Sequence, residues 1–339
     1  MAFLKELGLS SDFTQDLLDD DLGTLLHLFA QNGAVDSVER NIDRTSSKNY
    51  TIESKTAKFR QTALHLAAQA NCEAEKIPRY VKICKALVQA GANVNARDRH
   101  EKTPLHLAAE SWKDKSEICK VLIEAGAIVD AEDKDYFSPL HCAFNVEVCK
   151  VLLQAGANVN ARGFNERTPL YLNVESEDHL DICKVLVEAG ANLDAKDFYQ
   201  RSPLHCAVMN TQLENVEFLL EHGAQIDPKD KNGKTPLDLA IQEIQSNPRI
   251  EAYQDVANFL MEKKREALDE IPLEKINQKA CCVVCFAKRN GVFVLLPCAH
   301  ASLCEPCCFR LKNEKSECPT CRSPINDYKK IFFQDPDAN

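Results

Sequence analysis

The chain has 339 residues, room for two or three domains, and 45% of them are hydrophobic, the share of a soluble globular protein. No run approaches the roughly eighteen apolar residues of a membrane span, and the start lacks the apolar core and cleavage site of a signal peptide, so the expected compartment is the cytosol or nucleus. The net charge is −10, and because nine Lys or Arg oppose six Asp or Glu from Lys279 onward, residues 1–278 carry −13, a balance that disfavours phosphate backbones and favours protein partners.

Residues 1–20 are short and amphipathic, with Phe3, Leu4, Leu7 and Leu9 followed by Leu17 and Leu18, and they read as an N-terminal cap on the neighbouring helical segment. From there a short pattern recurs. Thr62-Ala-Leu-His65, Thr103-Pro-Leu-His106, Ser138-Pro-Leu-His141, Thr168-Pro-Leu-Tyr171, Ser202-Pro-Leu-His205 and Thr235-Pro-Leu-Asp238 mark six copies, and Thr24-Leu-Leu-His27 reads as a degenerate first one. Successive starts lie 38, 41, 35, 30, 34 and 33 residues apart. The Thr or Ser is a natural helix N-cap, and Pro at the first helical position has no amide hydrogen to leave unsatisfied, so a helix is expected at each mark. A second apolar stretch comes next, as in Ile118-Cys-Lys-Val-Leu-Ile123, and it ends at Gly91, Gly126, Gly156, Gly190 or Gly223, where glycine takes a left-handed C-cap without strain.

Over residues 21–264 the pattern resembles the ankyrin-repeat family, whose unit is about 33 residues long. That resemblance implies a mainly α solenoid of about seven helix-turn-helix units, used to bind proteins. Extra residues around Gln69 to Arg79 and Glu110 to Lys115 are expected in loops or extended helix turns, and the 30-residue spacing after Ser138 implies a clipped unit. Cys84, Cys119, Cys149 and Cys183 recur at one repeat position and read as small buried residues. The repeated histidines read as structural, since in this family such a His hydrogen-bonds between neighbouring loops.

One position departs from the family. Gly is usual two residues before the Thr, yet only Gly233 stands there; Arg60, Glu101, Tyr136, Glu166 and Gln200 fill the place elsewhere, and less regular hairpins are expected. The same segments carry Tyr136, Phe137, Phe164, Phe198 and Tyr199. Two readings stand for these five aromatics: anchors of a substrate-binding surface, or packing against neighbouring hairpins.

Residues 265–279 are charged and broken by Pro272, which reads as a linker. Beyond it the pattern is Cys282-x2-Cys285-x12-Cys298-x-His300-x3-Cys304-x2-Cys307-x10-Cys318-x2-Cys321. Paired thiolates with two residues between them reach one tetrahedral zinc through a tight turn. Cys281 and Cys308 lie beside ligands but would break that spacing. Closed four-coordinate sites leave no position for water, so such a metal is structural.

The ligand order resembles the RING family, which implies a small α+β cross-brace domain, here residues 280–334 with a tail at 335–339, and two structural Zn2+ ions. By that resemblance Cys282, Cys285, Cys304 and Cys307 share one zinc, and Cys298, His300, Cys318 and Cys321 the other. It also implies a ubiquitin ligase that docks a ubiquitin-charged conjugating enzyme, with Val284, Leu311 and Pro319 at contact positions and Arg322 holding ubiquitin closed over the thioester. There is no covalent enzyme intermediate. The three residues between His300 and Cys304, with Phe293-Val-Leu-Leu-Pro-Cys298, are similar to RINGs of the inhibitor-of-apoptosis and mind bomb proteins. Ile331 and Phe332 lie where the former group pairs two RINGs, so a RING homodimer is expected, although Phe333 and six further residues depart from that group. The rival reading is a non-catalytic ankyrin adaptor with a structural RING. No nucleic-acid or membrane partner is expected.

Overall fold

The Thr/Ser-Pro marks start helices because the capping side chain and the proline together resolve the unpaired first-turn amides. In a computed structural model, which describes residues 24–45, 52–70, 73–246, 251–269, 286–289 and 292–295, Thr62, Thr103, Thr168 and Ser202 are extended N-caps. The residues read as N-terminal cap and the linker residues 270–279 lie outside the described residues, while 265–269, read as the start of the linker, continue a helix that begins at Glu251.

The chain divides into two compact units, Met1–Leu239 and Ala240–Asn339. In the first, helices come in pairs: α1 (Thr24–Gln31) with α2 (Val35–Thr45), α3 (Ala63–Gln69) with α4 (Ile77–Gln89), and α5 (Pro104–Ala109) with α6 (Ser116–Glu124). Next come α7 (Val146–Gln154), the pair α8 (Pro169–Asn173) and α9 (Leu180–Glu188), and the pair α10 (Pro203–Met209) and α11 (Leu213–Glu221). The division of the chain falls within α12 (Pro236–Ser246), and α13 (Glu251–Asp269) belongs to the second unit. The first helices stack on one another, α1 on α3 and α3 on α5, and the second helices form a parallel row in which α2 meets α4 and α4 meets α6. This is the solenoid expected from the repeats.

Its core is the repeated face of each second helix. Ile83, Cys84 and Leu87 in α4 are fully buried, as are Ile118, Cys119 and Leu122 in α6 and Val148, Cys149 and Leu152 in α7. The spacing i, i+1, i+4 puts all three on one side of a helix. Burial pushes the Cys84, Cys119, Cys149 and Cys183 thiols up to about 12, which makes them packing groups rather than nucleophiles. The chain leaves each second helix through Gly91, Gly126, Gly156, Gly190 or Gly223, all at φ between 88° and 93°. In the first of these, Ala92 N–H reaches back to the Leu87 carbonyl at 3.0 Å, closing the helix end.

Two expectations change. At Ser138-Pro139 no helix forms: His141, Cys142 and Ala143 donate to carbonyls three residues back, and the unit opens with a tight turn. With only 30 residues before the next mark, the clipped unit has given up this helix. The hairpins, in contrast, are regular without glycine. Arg60, Glu101, Tyr136, Glu166 and Gln200 all take the left-handed conformation, at φ 54° to 61°, that Gly233 takes at 75°.

At Glu101, Tyr136 and Gln200 the reason lies in buried aspartates. Asp98 Oδ1 accepts from His100 N–H at 2.7 Å and Lys102 N–H at 3.0 Å, and Asp133, Asp197 and Asp230 repeat the arrangement. Two amides held by one carboxylate impose the turn, which offsets left-handed strain of about 1 kcal/mol. Gly163 stands where the corresponding aspartate would be, and there both Asn165 and Glu166 are left-handed.

Candidate functional site

Each hairpin is tied to its neighbours at two levels. At the base, His65, His106, His141 and His205 accept the N-cap backbone N–H at Nδ1, at 3.0 to 3.1 Å. That contact leaves the proton on Nε2, which donates across to the carbonyl of Lys102, Phe137, Arg167 or Lys234 in the following hairpin, at 3.0 to 3.1 Å. Burial lowers the pKa of all four. The expected structural role is what the geometry shows. In the fifth marked unit Tyr171 replaces the His and its hydroxyl donates to Asp197 Oδ2 at 3.0 Å.

At the tips, backbone bonds run from hairpin to hairpin. Arg99 N–H donates to Phe59 O, Lys134 N–H to His100 O, Phe198 N–H to Asn165 O and Lys231 N–H to Tyr199 O, at 2.8 to 3.0 Å. These bonds join the tips into two sets of three, and between the sets the His141 Nε2 bond to the Arg167 carbonyl makes the link, so the tips form a connected ridge. On it Tyr136, Phe164, Phe198 and Tyr199 are 62%, 54%, 56% and 43% exposed. Phe137 differs from its four companions. It is half-buried, tilted against His141 at 5.3 Å between ring centroids, and covers Gly163 so closely that a Cβ there would stand 2.3 Å from its ring. Packing accounts for Phe137, and exposure singles out the other four.

The structure adds members the sequence reading passed over. Phe59, 43% exposed, lies on the first described tip with Lys58 Nζ 5.1 Å from its ring centre. Its place one residue before Arg60 matches that of Tyr199 before Gln200, a signal the sequence did carry. Lys231 and Arg201 lie 5.3 and 5.2 Å over Phe198 and Tyr199, which meet edge to face at 5.4 Å. Away from the ridge, Trp112 is 64% exposed and stacks on Phe144 at 5.0 Å and 13°. His179 packs against both rings.

In the second unit, β1 (Phe286–Arg289) and β2 (Val292–Leu295) form an antiparallel hairpin with Phe286 opposite Leu295 and Arg289 opposite Val292. Cys285 stands one residue before β1 and Cys298 three after β2, so the hairpin returns the chain between the second and third of the ordered donors. The residues Cys282, Cys285, Cys298, His300, Cys304, Cys307, Cys318 and Cys321 lie outside the described residues, as do Val284, Leu311, Pro319, Arg322, Ile331 and Phe332. Seven thiolates and one imidazole are a donor set suited to zinc. Among the described residues no cluster of His, Cys, Asp or Glu could hold a metal, and no helix is long and apolar enough to cross a membrane.

Comparison with known proteins agrees with both parts. A family model of ankyrin repeats in three copies matches overlapping windows at residues 26–133, 74–163, 132–197, 152–230 and 170–270. A model of the C3HC4-type zinc finger (RING finger), a zinc-binding module, matches residues 278–328. The chain is 39% identical over 59 residues to Apoptosis inhibitor 1 of Autographa californica nuclear polyhedrosis virus, covering 17% of this chain and 19% of that protein. It is also 39% identical over 57 residues to E3 ubiquitin-protein ligase APD4 of Arabidopsis thaliana, covering 16% of this chain and 14% of that one. The matched part is thus under a fifth of either relative's length. Among solved structures, the ankyrin repeat domain of Bcl-3, a member of the IkappaB protein family, is similar at a TM-score of 0.53 and 28% identity, over 65% of this chain and 94% of that domain.

Proposed function

Because the chain belongs to the ankyrin-repeat family and carries a RING finger at residues 278–328, we propose that it is a RING-type ubiquitin ligase whose repeats hold a protein substrate. The observation that carries the reading is the RING segment, with eight donors in order and ligase relatives that match it.

Zinc, two ions per chain, folds the segment and supplies no open coordination position for chemistry. The work falls to neighbouring residues. Val284, Leu311 and Pro319 present small apolar groups to the ubiquitin-conjugating enzyme, a compact interface of modest affinity. The Arg322 guanidinium, a planar fork of donors, bridges that enzyme and its ubiquitin and holds the thioester exposed to a lysine amine. The amine displaces the conjugating enzyme's cysteine as a thiol and keeps the ubiquitin carbonyl as an amide. No covalent bond to this chain forms.

Ile331 and Phe332 pair two RINGs, so the working species is a dimer; sedimentation of the full chain at tens of micromolar as a monomer alone would count against it. Tyr136, Phe164, Phe198 and Tyr199, with Phe137 beneath them, line the substrate surface on the ridge. The setting is the cytosol or nucleus.

The direct test is self-ubiquitination with a charged conjugating enzyme, with Cys298→Ser as the control that removes a ligand. Ubiquitin transfer by the wild-type chain alone is the expected result. A zinc-loaded wild-type chain that transfers nothing would make the protein an adaptor with a structural RING.

A further inference from the structure

The ridge of hairpin tips has the opposite charge to the rest of the first 278 residues. Those residues carry −13 overall, yet the six tips at 56–60, 97–102, 132–137, 162–167, 196–201 and 229–234 hold thirteen Lys or Arg against eight Asp or Glu. The imbalance at the surface is larger than the count. Four of the eight acids, Asp98, Asp133, Asp197 and Asp230, are at most 7% exposed and have their Oδ1 atoms committed to hairpin amides. All thirteen bases are exposed or half-exposed, and eleven remain after Lys102 and Arg167, which pair with Glu110 and Glu175 outside the tips, are set aside. On the second helices, in contrast, Glu117, Glu147 and Asp181 face solvent in ion pairs with Lys120, Lys150 and Lys184.

We infer that the ridge is a docking surface for an acidic, extended segment of a partner protein. The inference rests on the reading of the ridge as the substrate surface and names the substrate's chemistry. Charge complementarity selects the segment, since carboxylates meet a basic line on a part of the chain that is otherwise acidic. The hairpin-to-hairpin backbone bonds, with the His141 link to Arg167 at the middle junction, set that line in advance. Cations already seated over aromatic rings, Lys58 over Phe59, Lys231 over Phe198 and Arg201 over Tyr199, have less side-chain freedom to lose when a carboxylate arrives.

A single-stranded nucleic acid is the competing polyanion. It uses aromatic faces as platforms for bases, and here three of the exposed rings have a cation over them. The overall charge of −13 on residues 1–278 also repels a phosphate backbone more strongly than a sparser row of carboxylates. A protein segment is the better fit.

The test uses the full zinc-loaded chain and a fluorescent random Glu–Tyr copolymer, followed by anisotropy, with poly-uridylate as competitor. Binding is expected, and about tenfold or more of it is lost between ~50 and ~200 mM salt. Charge reversal at four exposed tip residues, Arg99→Glu, Lys134→Glu, Lys196→Glu and Lys231→Glu, is expected to weaken binding about tenfold or more. Reversal of Lys120, Lys150 and Lys184 leaves it unchanged. Should the fourfold variant lose its fold by circular dichroism, Lys134→Gln with Lys231→Gln is read instead, with about threefold weakening expected. No copolymer binding, equal losses in the two sets, or preference for poly-uridylate overturns the inference. A chain that binds the copolymer at the ridge but transfers no ubiquitin supports the inference and overturns the ligase reading.

Discussion

His106 Nε2 donates to the carbonyl oxygen of Phe137 at 3.0 Å, so one unit's helix cap is bonded to the hairpin of the next, 31 residues on. The same ring accepts the Thr103 amide at Nδ1, 3.1 Å away. One side chain thereby satisfies two buried backbone groups in different units. His106→Ala strands both, and a loss of about 2–4 kcal/mol is expected. Urea unfolding followed by Trp112, the single tryptophan, reads the first unit directly. An unshifted midpoint would show that the repeats do not depend on this bond.

The same histidines set a pH dependence. Burial is the main reason that His65, His106, His141 and His205 are lowered below 6.5, so folded rings stay neutral where unfolded rings take up protons. The stability they contribute is fully present above 6.5 and is lost as pH falls below it toward the depressed folded values. Each proton taken up only by the unfolded chain costs about 1.4 kcal/mol per pH unit. Trp112-monitored urea midpoints are expected to drop between about pH 7.5 and 5.5, and to drop less in His106→Ala.

Left-handed backbone at Gln200 and Glu101, φ 61° and 59°, is held by Asp197 and Asp98 against its steric cost. Gln200→Gly or Glu101→Gly removes that cost while adding freedom to the unfolded chain, and the net gain expected is about 0.5 kcal/mol. Gly233→Ala, at φ 75°, is expected to destabilise by about 1 kcal/mol. Thermal unfolding of the three variants checks the signs.

If Arg322 bridges the conjugating enzyme and ubiquitin, Arg322→Ala keeps binding of the charged enzyme but slows its discharge. Loss of charge-assisted hydrogen bonds worth roughly 1.5–3 kcal/mol corresponds to about tenfold or more in rate. Single-turnover discharge onto free lysine measures it, and an unaltered rate rejects the role. Chelation is expected to release two zinc ions per chain and abolish transfer, with the Trp112 unfolding midpoint unmoved.

Much of this protein was legible before any coordinates because its signals are local and repeated. The Thr62, Thr103, Thr168 and Ser202 caps and the glycine C-caps each depend on a few neighbouring residues, and the unit length depends only on counting between marks. The ordered Cys and His donors are read the same way, since ligand spacing is a property of the chain.

Tertiary structure alone decided what depends on atoms distant in sequence. Tyr136 and Phe137 are adjacent and similar, yet one faces solvent and the other is half-buried, because Gly163 lacks the Cβ that would exclude the Phe137 ring. The regularity of the glycine-free hairpins at Glu101, Tyr136 and Gln200 came from buried aspartates that lie within the same tips but act only once the turn has closed. The basic ridge is spread over six segments of a chain whose net charge is −10, and stacking the units is what brings those segments into one line.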